Sequence, residues 1–148
     1  MKTVAIDLDR VLGDTRPLWQ AWLEDAARRF RSIAELDAAS LPEDRIEAAR
    51  SLDRWAAAGV GDWRAALARF AEDHAPVYLR PDAGTSAALR ALAGRGVRIS
   101  VFTDAPDELA RVALAQLGAT RRVDTLATRP EAGATVVRSR EELARLAH

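Results

Sequence analysis

The chain has 148 residues, 49% hydrophobic and 30% charged, which is the size of one ordinary domain with enough apolar material for a core. Its 22 acids balance 22 bases, leaving no net field to draw nucleic acid or an anionic membrane. Cysteine is absent, which excludes disulfides, thiolate catalysis and Cys-based metal sites, and no apolar run nears the roughly 20 residues that span a bilayer.

Residues 3–8 read as a short buried strand, apolar and β-branched, interrupted only by Asp7. Val4-Ala5-Ile6 is too short for a signal peptide, so the expected location is cytoplasmic. Gly13-Asp14-Thr15 is turn material, with Asp14 or Thr15 placed to cap a helix opened by Pro17 and running to about Phe30. Its inner face is Trp19, Trp22, Leu23, Ala26 and Phe30. A second helix begins at Leu41-Pro42-Glu43 with Ile46, Ala49, Leu52 and Trp55 on one stripe. Residues 59–62 break it, and a third runs through Trp63, Leu67 and Phe70 to about Asp73. All four tryptophans fall in this stretch, where helix packing explains them better than ligand stacking.

From Pro81 the pattern changes. Asp82 caps a helix with Ala88, Leu89 and Leu92 inward, ended by Gly94-Arg95-Gly96. Val97–Phe102 is a strand stopping at Thr103-Asp104, and Asp104 is expected to cap the next helix, whose inner stripe is Leu109, Val112, Ala113 and Leu117. Val123–Ala127 and Ala134–Val137 are two further strands, and Ser139-Arg-Glu-Glu is a capping box for a last helix. Alternation of this kind implies an α/β fold, a Rossmann-like parallel sheet flanked by helices, with ligands beyond the carboxyl ends of the strands. The expected division is a core of residues 1–15 and 77–148 and a helical insertion of residues 16–76. Asp7, Asp9, Thr103 and Asp104 all fall at strand ends.

Asp7-Leu8-Asp9-Arg10-Val11-Leu12, followed much later by an apolar strand ending in Thr103, resembles the first two motifs of the haloacid dehalogenase-like (HAD-like) hydrolase superfamily. The helical insertion resembles that family's cap. The resemblance covers roughly residues 1–128 and implies a phosphatase acting on a small phosphorylated metabolite. It implies Asp7 as nucleophile forming an aspartyl-phosphate and Asp9 as the general acid and base. It further implies Mg²⁺ bound by the Asp7 carboxylate and the Asp9 carbonyl, with Thr103 contacting the phosphoryl oxygens. Asp104 is a further candidate at the phosphate. Arg129, in Thr128-Arg129-Pro130, is the candidate for the base that neutralises nucleophile and phosphate.

One family feature is missing: a late acidic pair after a strand, which supplies the third metal ligand. Either a helix-strand unit has been lost before residues 131–137, the preferred alignment, or Arg138-Ser139 stands in place of the acids. Asp104, Asp124, Glu131 or Glu141 could substitute, and Arg138 could fill part of the cation's space. Two further readings stay open: a nucleotidase-type substrate, and a catalytically impaired HAD-like protein that binds a phosphorylated ligand or a partner. The oligomeric state is left open.

Overall fold

The computed structural model describes residues 2–29 and 38–148. Its centre is a four-stranded parallel sheet in the order β3-β2-β1-β4. The strands are β1 (Thr3–Asp7), β2 (Arg98–Phe102), β3 (Thr125–Ala127) and β4 (Thr135–Val137). β1 lies inside, with Val4 opposite both Ile99 and Thr135. That position explains its unbroken apolar run: Val4, Ala5 and Ile6 are covered by neighbours on all sides and almost inaccessible.

Asp7 closes β1 opposite Phe102. The chain then makes a wide turn over Leu8–Leu12, closed by the Gly13 N–H donating to the Leu8 carbonyl at 3.0 Å. Leu8, Val11 and Leu12 are buried, so the same turn carries Asp9 and Arg10 on its other side. Arg140 Nε donates to the Val11 carbonyl at 3.0 Å and ties the turn to the last helix.

The helices are α1 (Arg16–Arg29), α2 (Arg45–Trp55), α3 (Trp63–Tyr78), α4 (Ala83–Gly94), α5 (Asp107–Gln116) and α6 (Arg140–Ala147). Phe30, expected on the inner face of α1, lies outside the described residues. α2 begins four residues later than Leu41 because Asp44 caps it, accepting from Ile46 N and Glu47 N. α3 runs on to Tyr78 despite Pro76. α4 and α6 begin as expected, with Asp82 accepting from Thr85 N and Ser139 from Glu142 N. α5 does not: Pro106 stands at its N-cap without a side-chain bond, and Asp104 is engaged elsewhere.

α3 packs on α1 and α5, and α4 packs on α6 and β2. One apolar cluster runs from Leu18, Trp22 and Leu67 of the helical segment to Ile6, Ile99 and Leu109 beneath it. Trp22 lies 5.4 Å from Trp19 and 5.8 Å from Trp63, ring centre to ring centre, and all three are buried. Trp63 satisfies its indole N–H on Asp53 at 2.9 Å. These rings are packing groups, as their helical spacing suggests. No helix among the described residues is long and apolar enough to cross a membrane.

Gly13 is needed for its lack of a side chain and not for its backbone angles, since its φ of 177° is extended. A Cβ there would stand 2.9 Å from Leu117 Cδ1 and 3.1 Å from Leu79 Cδ2. Gly13→Ala is therefore expected to cost about 1–2 kcal/mol by overpacking, read as a lowered midpoint in thermal unfolding. An unchanged midpoint would show that the two leucines swing aside freely.

Candidate functional site

The carboxyl ends of β1 and β2 open into a cleft of about 230 Å³, lined by Asp7, Asp9, Arg45, Thr103, Asp104 and Thr128, with Arg10, Arg16 and Phe102 beside them. Larger hollows of about 450 and 570 Å³ lie along α5, but each carries a single acid, Glu72 or Asp124, beside Arg111. Convergent chemistry marks out the smaller one.

Thr103, 94 residues away in sequence, donates its hydroxyl to Asp9 Oδ2 at 2.8 Å. It is placed by its own backbone, whose N–H donates to the Ala127 carbonyl at 3.0 Å and extends the β2–β3 ladder by one residue. Its hydroxyl also accepts from Ala105 N at 3.1 Å. Asp9 Oδ1 accepts from the Thr15 N–H at 2.9 Å and from the fully buried Thr15 hydroxyl.

The remaining bond to Asp9 comes from a residue that the sequence did not single out. Arg45, at the start of α2, is only 3% exposed, and its Nη2 donates to Asp9 Oδ2 at 2.8 Å. The same nitrogen reaches Asp104 Oδ1 at 2.8 Å, Nε reaches it at 3.0 Å, and Nη1 donates to the Thr15 hydroxyl at 2.7 Å. The Arg45 backbone N–H donates to Asp104 Oδ2 at 3.2 Å. Asp104 thus serves the first turn of α2 and not its own helix, which corrects its expected capping role. A guanidinium out of water needs this many acceptors to offset its lost hydration. The signal for Arg45 was present in the sequence: it lies three residues before Ala48 and seven before Leu52, both buried on the inner face of α2. A charge on that stripe has to point at something.

Asp7 is held differently. Among the described residues its carboxylate has one ion pair, a long one to Arg10 Nε at 3.9 Å, and its side chain is 15% exposed. At the cleft mouth Arg16 is committed to Asp14 through Nε at 2.8 Å and Nη2 at 2.9 Å. That hydrogen bonding holds the Asp14 carboxyl below the usual carboxylate range and raises Arg16.

Asp7, Asp9, Thr103 and Asp104 therefore line one cleft. Arg129 does not: it is exposed, and its neighbour Thr128 lines the cleft instead. β4 pairs with β1 so that Val137 stands opposite Ile6, which brings Arg138 out beside the Asp7 end of β1. The Arg138 guanidinium itself lies over the Phe102 ring, 5.4 Å from its centre.

The residues present do not fit a resident divalent ion. Among the described residues no group of three acids or histidines is arranged to hold a metal. Asp9 and Asp104 are both spent on Arg45. Of the proposed substitutes, Asp124 accepts from Ile99 N at 2.8 Å and Glu131 pairs with Arg98 at 3.1 Å, while Glu141 is exposed and does not line the cleft. The Asp7 carboxylate and the Asp9 carbonyl remain, so water or a phosphate would have to supply most of a Mg²⁺ shell.

No family model matches the chain, and no curated protein matches it. Among solved structures, a Thermotoga maritima protein provisionally named a β-phosphoglucomutase matches with a TM-score of 0.45 and 21% identity. The alignment covers 86% of this chain, which spans 61% of that one. At that score the likeness carries no weight for function, which rests on the cleft.

Removing the Arg45 guanidinium would leave the Asp9 and Asp104 carboxylates facing each other without a counter-charge. Arg45→Ala is expected to destabilise the fold by about 3 kcal/mol in urea titration, whereas an exposed arginine such as Arg54 should give less than about 0.5 kcal/mol. Asp14 sets an acid-side expectation. Its lowered folded pKa makes its contribution full above the unfolded value and lost as the pH falls below about 4. Asp14→Asn should therefore lower the thermal midpoint at neutral pH, and the gap from the parent protein should close in acid.

Proposed function

We propose that this chain is a HAD-like phosphoryl-transfer protein that hydrolyses a small phosphomonoester through an aspartyl-phosphate on Asp7. The observation that carries this reading is the contrast between two acids on one cleft. Asp9 is held by four donors from Thr15, Thr103 and Arg45, whereas among the described residues Asp7 is paired with Arg10 alone, at 3.9 Å. A strand-end carboxylate without close donors keeps its lone pairs for attack on phosphorus.

In the first step an Asp7 oxygen bonds to phosphorus, the ester P–O bond breaks, and the leaving oxygen takes a proton from Asp9. In the second, water gives a proton to Asp9 and bonds to phosphorus, and the P–O bond to Asp7 breaks to release inorganic phosphate. The four donors occupy the lone pairs of the Asp9 carboxylate, so it can serve only once Arg45 yields Oδ2. Thr103 is the hydroxyl nearest that exchange. The insertion of residues 16–76 would choose the substrate, since it supplies Arg45 and Arg16. A nucleotide is a second substrate reading, with Phe102 the aromatic ring among the described residues of the cleft. Among the described residues the Asp7 carboxylate and the Asp9 carbonyl would hold the expected Mg²⁺.

The same grip on Asp9 supports a second reading, a HAD-like protein that binds a phosphorylated ligand without turning it over. Release of nitrophenol from p-nitrophenyl phosphate, with and without Mg²⁺, separates the two. Hydrolysis that falls by roughly three orders of magnitude or more in Asp7→Asn supports the enzyme. Absence of turnover, or turnover unchanged in Asp7→Asn, rejects it.

A further inference from the structure

Taking the cleft as a phosphoryl site, a phosphate dianion would meet three carboxylates there, Asp7, Asp9 and Asp104. In water-poor surroundings such a cluster excludes an anion unless a cation offsets it. The lining answers with three guanidinium groups, Arg10, Arg16 and Arg45. They are not equivalent. Arg10 and Arg16 are each 64% exposed at the side chain, and Arg16 is already bound by Asp14. Arg45 is 3% exposed and stands between Asp9 and Asp104, where a charge acts at close range and is little screened by salt.

The two carboxylates on Arg45 are also unlike. Asp9 is 11% exposed and fixed by Thr15 and Thr103 as well. Asp104 is 41% exposed, and every hydrogen bond its carboxylate makes among the described residues comes from Arg45. Its Oδ1 takes the Nε and Nη2 edge of the guanidinium, the edge with two parallel N–H groups that suits a carboxylate or a phosphate alike. A solvent-facing carboxylate on that edge can be exchanged for another oxyanion at little cost. Binding at that edge leaves the contacts of Arg45 to Asp9 and Thr15 in place, and the Asp9 contact is given up only in the turnover step proposed above.

We infer that the Arg45 fork, in place of a divalent ion, receives the oxyanion of the ligand in this cleft, and that Asp104 occupies the fork until the ligand displaces it. The ligand class is a phosphomonoester or inorganic phosphate, bound without metal. Nη2 and Nε then donate to two phosphate oxygens, Nη1 stays on Thr15, and the Asp104 carboxylate turns to solvent. Asp104 is on this view a competitor for the anion as well as a partner of α2.

The test is calorimetric titration of the full chain with inorganic phosphate in the presence of a chelator, and again with Mg²⁺. Binding in chelator that Mg²⁺ does not tighten is expected. Asp104→Asn, at a half-exposed position and checked for folding by its thermal midpoint, should tighten phosphate several-fold by removing the competitor. Arg45→Lys keeps the charge but loses the fork and should weaken phosphate about tenfold or more. In the Arg45→Lys background, Asp104→Asn should then give little gain. Equal gains in both backgrounds would mean simple charge repulsion and would overturn the assignment. So would phosphate binding that appears only with Mg²⁺, or none by Asp104→Asn at millimolar phosphate. The outcomes are separable from those for the enzyme: metal-free phosphate binding without ester hydrolysis rejects turnover and keeps the Arg45 site. Hydrolysis together with Mg²⁺-dependent phosphate binding does the reverse.

Discussion

A single buried guanidinium holds the two parts of this molecule in register. Arg45 joins α2 to Asp9 on the turn after β1, to Thr15 before α1 and to Asp104 after β2, partners separated from it by 36, 30 and 59 positions respectively. Apolar packing supplies the bulk attraction between the helical segment and the sheet, but it is tolerant of small sliding. Hydrogen bonds from a planar group with fixed donor directions are not. The orientation of α2 over the strand ends is therefore set by charge, and it costs the protein two of the three acids in its cleft.

That arrangement depends on the sheet. In a parallel sheet the strands all end at one rim, so residues that follow different strands meet there regardless of their distance in sequence. β1 and β2 pair as far as Asp7 and Phe102, which puts the next residue of β2, Thr103, within reach of Asp9. The wide turn after Asp7 buries Leu8, Val11 and Leu12 and so keeps Asp9 and Arg10 toward the cleft. Gly13 lets the chain leave that turn beneath Leu79 and Leu117. The local geometry is simple, and each piece is apolar packing that orients a neighbouring polar group.

Three acids and three guanidinium groups on one small cleft make a site that is balanced before any ligand arrives. Lysine could not take the place of Arg45, because an ammonium is a point charge without the paired, coplanar donors that Asp104 and Thr15 use. A chain whose bases are almost all arginine meets this demand without special selection. That is also why no one arginine stands out in the sequence, and why the local context of Arg129 points to a residue that lies exposed and off the cleft.

The strands, most helices and the strand-end acids were legible in the sequence, since they follow from short-range patterns: β-branched runs, helical spacing of leucines, and Asp or Ser at helix starts. The parallel direction of the strands was legible too, from the alternation of types, although their order was not. The helix ends were less so. α3 passes Asp73 and Pro76 to Tyr78, and Asp104 gives up its own helix because an arginine 59 residues away offers it a stronger bond than a backbone N–H. What only the tertiary structure decided is which charges meet. Pairing between charges depends on distance through space and on shared burial, and neither is a property of a residue or its neighbours along the chain. Thus the sequence by itself determined a rim of acids and a threonine, and folding decided that Arg45 would stand among them.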